Sequence, residues 1–148
     1  MNSLVVDASV AAKWFLPSSR EPYSSEARHL LTLYGANRIQ FLVPDLFWVE
    51  MANVFWKALR GRYWVMDQVR TALGELAELQ FHTADARRLI SPALTIASKF
   101  DRALYDSIYV ALAMDAGCDL VTADERLVNA TASRLPVKWI GMYSPPSF

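Results

Sequence analysis

The chain has little cysteine, little histidine, little glycine and no excess of charge, and each shortage excludes something. Its 148 residues contain one cysteine, Cys118, so no internal disulfide framework holds the fold. That cysteine sits among apolar neighbours and reads as a small buried residue. Two histidines, His29 and His82, are too few and too far apart in sequence for a zinc motif. Five glycines form no phosphate-binding loop. No apolar run reaches the length of a membrane-spanning helix. The first residues, Met-Asn-Ser-Leu-Val-Val-Asp, lack the basic and apolar regions of a signal peptide, so a cytoplasmic protein without a membrane partner is expected. Fifteen basic residues balance fifteen acidic ones, so the net charge carries no signature of nucleic-acid binding.

What remains is apolar and aromatic. Hydrophobic residues make up 53% of the chain, enough to bury the core of one domain. Five Trp, six Tyr and seven Phe must fill that core or lie at an interface. Short β-rich runs alternate with longer helical ones, the pattern of an α/β fold. Strands are predicted at Ser3 to Val6, Gln40 to Val43, Phe81 to Thr83, Leu120 to Thr122 and Val137 to Ile140. Helices are predicted over Ala8 to Leu16, Pro22 to Tyr34, Pro44 to Arg60, Val65 to Leu79, Asp85 to Lys99, Leu104 to Ala116 and Asp124 to Ala132. Pro92 marks a kink or restart in the fifth of these. Residues 1–143 are expected to form the domain and 144–148 a loose tail. Strands joined through helices are parallel, and a ligand site then lies at their carboxyl ends, where strand order reverses.

Two acids meet that condition. Asp7 follows Leu4-Val5-Val6, and Asp124 follows Leu120-Val121-Thr122-Ala123. Each is also explained as a helix N-cap. Glu50 lies on a helix that is apolar almost all round, where Glu50, Asn53 and Lys57 form one narrow polar stripe. The stripe either faces solvent or lines a cleft. Asp106 opens the helix of Tyr105 to Met114, a place the helix dipole alone favours.

Four converging carboxylates would repel one another, and a divalent cation removes the repulsion. Oxygen donors without clustered His or Cys select Mg²⁺ or Mn²⁺. Such a centre activates water for in-line attack on a phosphodiester. Asp7 and Asp106 are expected to bind the ion directly; Glu50 and Asp124 would act through water, hold a second ion or accept a proton. Ser9 and Thr122 supply hydroxyls that either orient the carboxylates or make local turn bonds.

These residues resemble the PIN-domain family, and most closely its VapC-type ribonuclease toxins. The matching segments are Val5-Val-Asp-Ala-Ser9 with Lys13 and Trp14, Pro44-Asp-Leu-Phe-Trp-Val-Glu50 with Asn53, Tyr105-Asp106-Ser-Ile-Tyr109-Val-Ala-Leu-Ala113, and Leu120-Val-Thr-Ala-Asp124. Each is weak alone, but together they span nearly the whole chain. The resemblance implies a PIN-like three-layer fold with a five-stranded parallel sheet flanked by helices. It implies a Mg²⁺- or Mn²⁺-dependent endoribonuclease with Asp7, Glu50, Asp106 and Asp124 as its acidic centre and Ser9, Asn53 and Thr122 in support. It also implies a homodimer and a small antitoxin partner that blocks the cleft.

Several expectations lie outside the acidic centre. Lys57, Arg60 and Arg62 either touch the RNA backbone or simply complement a helix end. Phe47, Trp48, Met51 and Phe55, with Trp64, offer apolar surface for a dimer or an antitoxin. Two rival classes stay open. A haloacid dehalogenase-like phosphatase needs a second Asp where Ser9 stands. A receiver domain needs paired acids after the first strand and a lysine after a late one, whereas Asp7 stands alone and Lys138 lies inside the last strand. A non-catalytic binding module would use all four acids as caps.

Overall fold

A computed structural model describes residues 2–145. Five strands, β1 (Asn2–Val6), β2 (Ile39–Pro44), β3 (His82–Ala84), β4 (Asp119–Thr122) and β5 (Val137–Trp139), form one sheet in the order β3-β2-β1-β4-β5. Every pairing is parallel. Seven α-helices accompany them: α1 (Ala8–Phe15), α2 (Ser24–Gly35), α3 (Leu46–Arg60), α4 (Met66–Ala77), α5 (Ile90–Phe100), α6 (Leu104–Ala116) and α7 (Glu125–Thr131). This is the expected α/β architecture, with α6 lying against β1, β2 and β4 and α5 backing it. The chain runs outward from β1 to β3, then returns to β4 and runs outward the other way. Strand order therefore reverses between β1 and β4, whose register pairs Val6 with Val121.

The central strands are buried on both faces, which is why they read as apolar runs rather than alternating ones. Phe81 collects the aromatic residues. Its ring lies 5.1 Å from Phe41 and from Tyr34, and 5.9 Å from Phe47 and from Trp48. Trp14 of α1 packs on Phe41 at 5.3 Å, so one ring cluster joins α1, α2 and α3 to the sheet. The indole of Trp48 donates to Thr83 Oγ1 at 3.1 Å and fixes α3 against β3.

Four expectations are corrected. Pro44 does not open α3: it is the last residue of β2, paired with Ala84, and Asp45 N donates to the Ala84 carbonyl before the helix starts at Leu46. Pro22 does not open α2: Tyr23 takes a left-handed conformation (φ 61°) and the helix starts at Ser24, while residues 18–20 make a short 3₁₀ turn. The segment from Asp85 is a 3₁₀ turn over Ala86–Leu89 followed by α5, with Pro92 in its first turn, so the proline marks a restart rather than a kink. The aromatic face of α3 is core, not surface. Phe47, Met51 and Phe55 are 0% exposed and Trp64 is 8% exposed. The apolar residues that α3 does present to solvent are Val49 and Trp56.

Cys118 is half-buried. Ser144 and Pro145 belong to no regular element, and the rest of the expected tail lies outside the described residues. No described helix is long and apolar enough to cross a membrane.

Phe41 is fully buried and touches three other rings. Phe41→Ala is expected to cost about 3–5 kcal/mol, read as a lower urea midpoint with an unchanged slope.

Candidate active site

Asp7 leaves β1 at the point where strand order reverses, and its backbone N–H donates to the Val121 carbonyl of β4 at 3.1 Å. It stands at the N-cap position of α1, yet its side chain makes no cap hydrogen bond. Its Oδ2 instead accepts from Ser9 Oγ at 2.8 Å and Thr122 Oγ1 at 2.7 Å. Ser9 Oγ also accepts from the backbone N–H of Ala123, and Thr122 Oγ1 from that of Asp124. Two strand ends, a helix start and a turn are thus tied around one carboxylate. Asp7 is only 8% exposed, and burial raises its pKa against the opposing effect of the two hydroxyls.

Glu50 faces the cleft side of α3. Tyr109 of α6, itself fully buried, donates its hydroxyl to Glu50 Oε1 at 2.6 Å. Burial lifts the Glu50 carboxyl to about 7, helped by the negative charges of Asp7 and Asp106 and opposed by the Tyr109 hydrogen bond. Asp106 is lifted to about 6 by burial first, then by Asp7 and Asp124, with Arg102 opposing. Asp124 does act as an N-cap: its Oδ1 accepts from the N–H groups of Arg126 and Leu127. Its charge is nevertheless felt at Asp106, so capping and membership of the acidic cluster coexist in one side chain.

The structure therefore brings Asp7, Glu50, Asp106, Asp124, Ser9 and Thr122 to the same end of the sheet. Asn53 is exposed and makes no hydrogen bond with them. Lys57, Arg60 and Arg62 are exposed as well, and their charges do not figure among the influences on the perturbed acids. Arg102 escaped the sequence reading, and Tyr109 entered it only as part of a matching segment, without its tie to Glu50. Tyr109 had a signal, because a tyrosine in an Ala-rich buried helix needs a partner for its hydroxyl. Arg102 had none, since it lies before the helix in an unpatterned turn.

None of the four acids forms an ion pair among the described residues. His29 and His82 are both exposed and lie on α2 and β3, away from the cluster. No three candidate ligands close around one point tightly enough to hold an ion unaided, again among the described residues. The donor set fits Mg²⁺ or Mn²⁺ on that geometry: such ions take one or two direct carboxylates and complete their shell with water and substrate oxygens. It does not fit zinc, which wants nitrogen and sulfur donors in a closed shell.

Comparison with known proteins identifies the family. The family model described as PIN domain matches residues 4–132. The chain belongs to the PIN domain family. It is similar to Ribonuclease VapC3 of Pyrobaculum aerophilum, with 33% identity over 134 residues, 85% of this chain and 92% of that protein. Among solved structures, PAE2754 from Pyrobaculum aerophilum is similar at a TM-score of 0.62 and 20% identity, covering 95% of this chain and 92% of that one. A toxin–antitoxin complex from Klebsiella pneumoniae is similar at a TM-score of 0.59 and 19% identity, covering 91% of this chain and 95% of that one. VapBC2 from Rickettsia felis, bound to a DNA fragment from its promoter, is similar at a TM-score of 0.62 and 10% identity, covering 93% and 98%. The structural likenesses concern the fold.

The raised carboxyls set the pH dependence of the metal-free PIN domain. Asp7, Glu50 and Asp106 hold protons in the folded chain over a range in which the unfolded chain has already released them. Their contribution to stability is therefore complete below the ordinary carboxylate range and is lost as the pH rises through the raised values, about 6 for Asp106 and about 7 for Glu50. In EDTA, the melting temperature of Asp7→Asn is expected to fall less steeply with rising pH than that of the unsubstituted chain, because one raised carboxyl has been removed. Tyr109→Phe removes the bond that favours ionised Glu50, so carboxyl NMR should show the Glu50 titration moving above about 7.

Proposed function

We propose that this PIN-domain protein is a Mg²⁺- or Mn²⁺-dependent endoribonuclease, the toxin of a toxin–antitoxin pair. The observation that carries the chemistry is the uncompensated acidic cluster at the switch point of the sheet. Four carboxylates lie together without a paired cation; burial raises the pKa of three of them, and neighbouring carboxylates raise Glu50 and Asp106 further. Such an arrangement opposes folding unless a cation joins it. The RNA substrate and the antitoxin partner rest on the family and on the relatives' names, Ribonuclease VapC3 and the toxin–antitoxin complex.

When bound, a divalent ion would supply Lewis-acid stabilisation of phosphate charge and a more acidic water. Asp7 and Asp106 are the residues we assign to hold it directly. The Ser9 and Thr122 hydroxyls occupy Asp7 Oδ2 and thereby fix which way the carboxylate faces. Tyr109 does the same for Glu50. Asp124 spends Oδ1 on capping α7, and its Oδ2 has no hydrogen-bond partner among the described residues. Glu50, held by Tyr109 and not assigned to the ion, would be the carboxylate that accepts a proton from attacking water. In-line hydrolysis forms a bond from the water oxygen to phosphorus and breaks the bond to the leaving oxygen; the proton taken from water would pass to Glu50, and the leaving oxygen would take one from solvent.

A cytoplasmic location and a homodimer form part of the same proposal. The exposed Val49 and Trp56 of α3 are available to an interface, in place of the buried face of that helix.

Saturating Mn²⁺ should raise the melting temperature, by about 2.7 kcal/mol of stability at a hundred times the dissociation constant. Thr122→Val and Ser9→Ala should each weaken Mn²⁺ binding by about 10–100-fold. Cleavage of labelled RNA should stop in EDTA and in Asp7→Asn; cleavage that persists in both would falsify the proposal.

A further inference from the structure

The acidic cluster poses an electrostatic problem for its own substrate, because RNA is a polyanion and four carboxylates repel it. Arg102 lies where a compensating charge is needed. It stands four residues before Asp106, and its positive charge is the one that lowers the Asp106 pKa against the general upward pressure. Yet it does not neutralise that acid, because no ion pair forms between them. Its Nε is committed elsewhere, donating to the carbonyls of Asp101 at 2.6 Å and Phe100 at 3.3 Å. Those bonds fix the guanidinium by its stem. The two terminal nitrogens have no protein partner among the described residues. A planar cation held in this way, half-buried beside a carboxylate it does not pair with, is arranged for an incoming oxyanion.

Tyr105 stands next to Asp106 and is 67% exposed. It precedes Tyr109 by one helical turn on the same face of α6, and Tyr109 is the residue that reaches Glu50. Its ring makes no aromatic contact and its hydroxyl no hydrogen bond among the described residues. A large aromatic surface left open beside the acidic cluster matches the π-face of an unpaired base, which stacks on aromatic side chains whatever its identity.

We propose that Arg102 and Tyr105 form the substrate-holding side of the centre, Arg102 taking a backbone phosphate of single-stranded RNA and Tyr105 stacking on an adjoining base. This rests on the nuclease reading above and adds to it a pair of residues that bind the nucleotide rather than the metal. It also moves the phosphate contact from Lys57, Arg60 and Arg62 to Arg102.

The test is steady-state cleavage of a short labelled single-stranded RNA by the full chain with Mn²⁺ over a salt series. It is paired with Mn²⁺ affinity measured by EPR without RNA and with a melting curve of each variant. Arg102→Ala is expected to raise KM about tenfold and to flatten the salt dependence by about 0.7 in log–log slope, the value for one phosphate of a single strand. Tyr105→Ala should raise KM at least about fivefold, and Tyr105→Phe should recover most of that loss because the ring is retained. Mn²⁺ affinity and melting temperature should match the unsubstituted protein throughout. An unchanged KM and slope in both alanine variants overturns the inference while the nuclease reading stands. Lost Mn²⁺ affinity in Arg102→Ala overturns it too, because the arginine then serves Asp106. Unchanged KM with weakened binding of an antitoxin assigns the pair to a protein partner and also overturns it. Absence of RNA cleavage by the unsubstituted protein with Mn²⁺ brings down the nuclease reading itself and this inference with it.

Discussion

The hydroxyls of Ser9 and Thr122 converge on one oxygen of Asp7, and the carboxyl edge of the sheet is organised by that convergence. A buried carboxylate without donors is expensive, and this one lies at the seam between two strands that run in register but belong to opposite ends of the chain. The two hydroxyls meet part of that cost and are themselves held by backbone N–H groups of Ala123 and Asp124. The orientation of Asp7 is therefore set by the same bonds that close β1 against β4. Burial raises the carboxyls of Glu50 and Asp106, the charge of Asp7 adds to that rise, and the need for a cation follows.

Such a cluster opposes folding, so the rest of the molecule must outweigh it. The aromatic network around Phe81 and the doubly covered central strands do so on apolar burial alone, without a disulfide. Three helices contribute acids to the cleft or lie beside them, and each is anchored by contacts that have nothing to do with charge: Trp14 on Phe41 for α1, Phe47 on Phe81 for α3, and the packing of α6 across three strands. Rigid apolar packing is what allows polar groups of the same sign to be held together.

The sheet, its all-parallel sense and the positions of Asp7 and Asp124 were legible in the sequence, because apolar runs ending in an acid have one topological reading in an α/β fold. Boundaries at Pro44 and Pro22 were not. Proline opens helices often enough to mislead, and only the pairing of Pro44 with Ala84 shows β2 continuing through it. The surface reading of the α3 aromatics failed for a related reason: a face of large rings looks the same in sequence whether it meets solvent, a partner or the chain's own β3. Glu50 was recognisable as a polar residue on an apolar helix, but its tie to Tyr109 spans 59 residues and no local pattern encodes it. Asn53 shares the Glu50 stripe by helical periodicity, yet the stripe widens to solvent within a turn and leaves it outside. The same applies to the cap role of Asp124, which sequence presents as an alternative to the acidic cluster and geometry presents as a companion to it.

The bond from Thr122 to Asp7 joins residues 115 apart. During synthesis Asp7 is made well before the hydroxyl that orients it and the strand that seats it. Until β4 slots in beside β1, Asp7 has no fixed direction and Asp124 does not yet exist. A chain that has not yet reached β4 therefore lacks the assembled acidic cleft. The order of the strands thus makes completion of the acidic centre wait for β4.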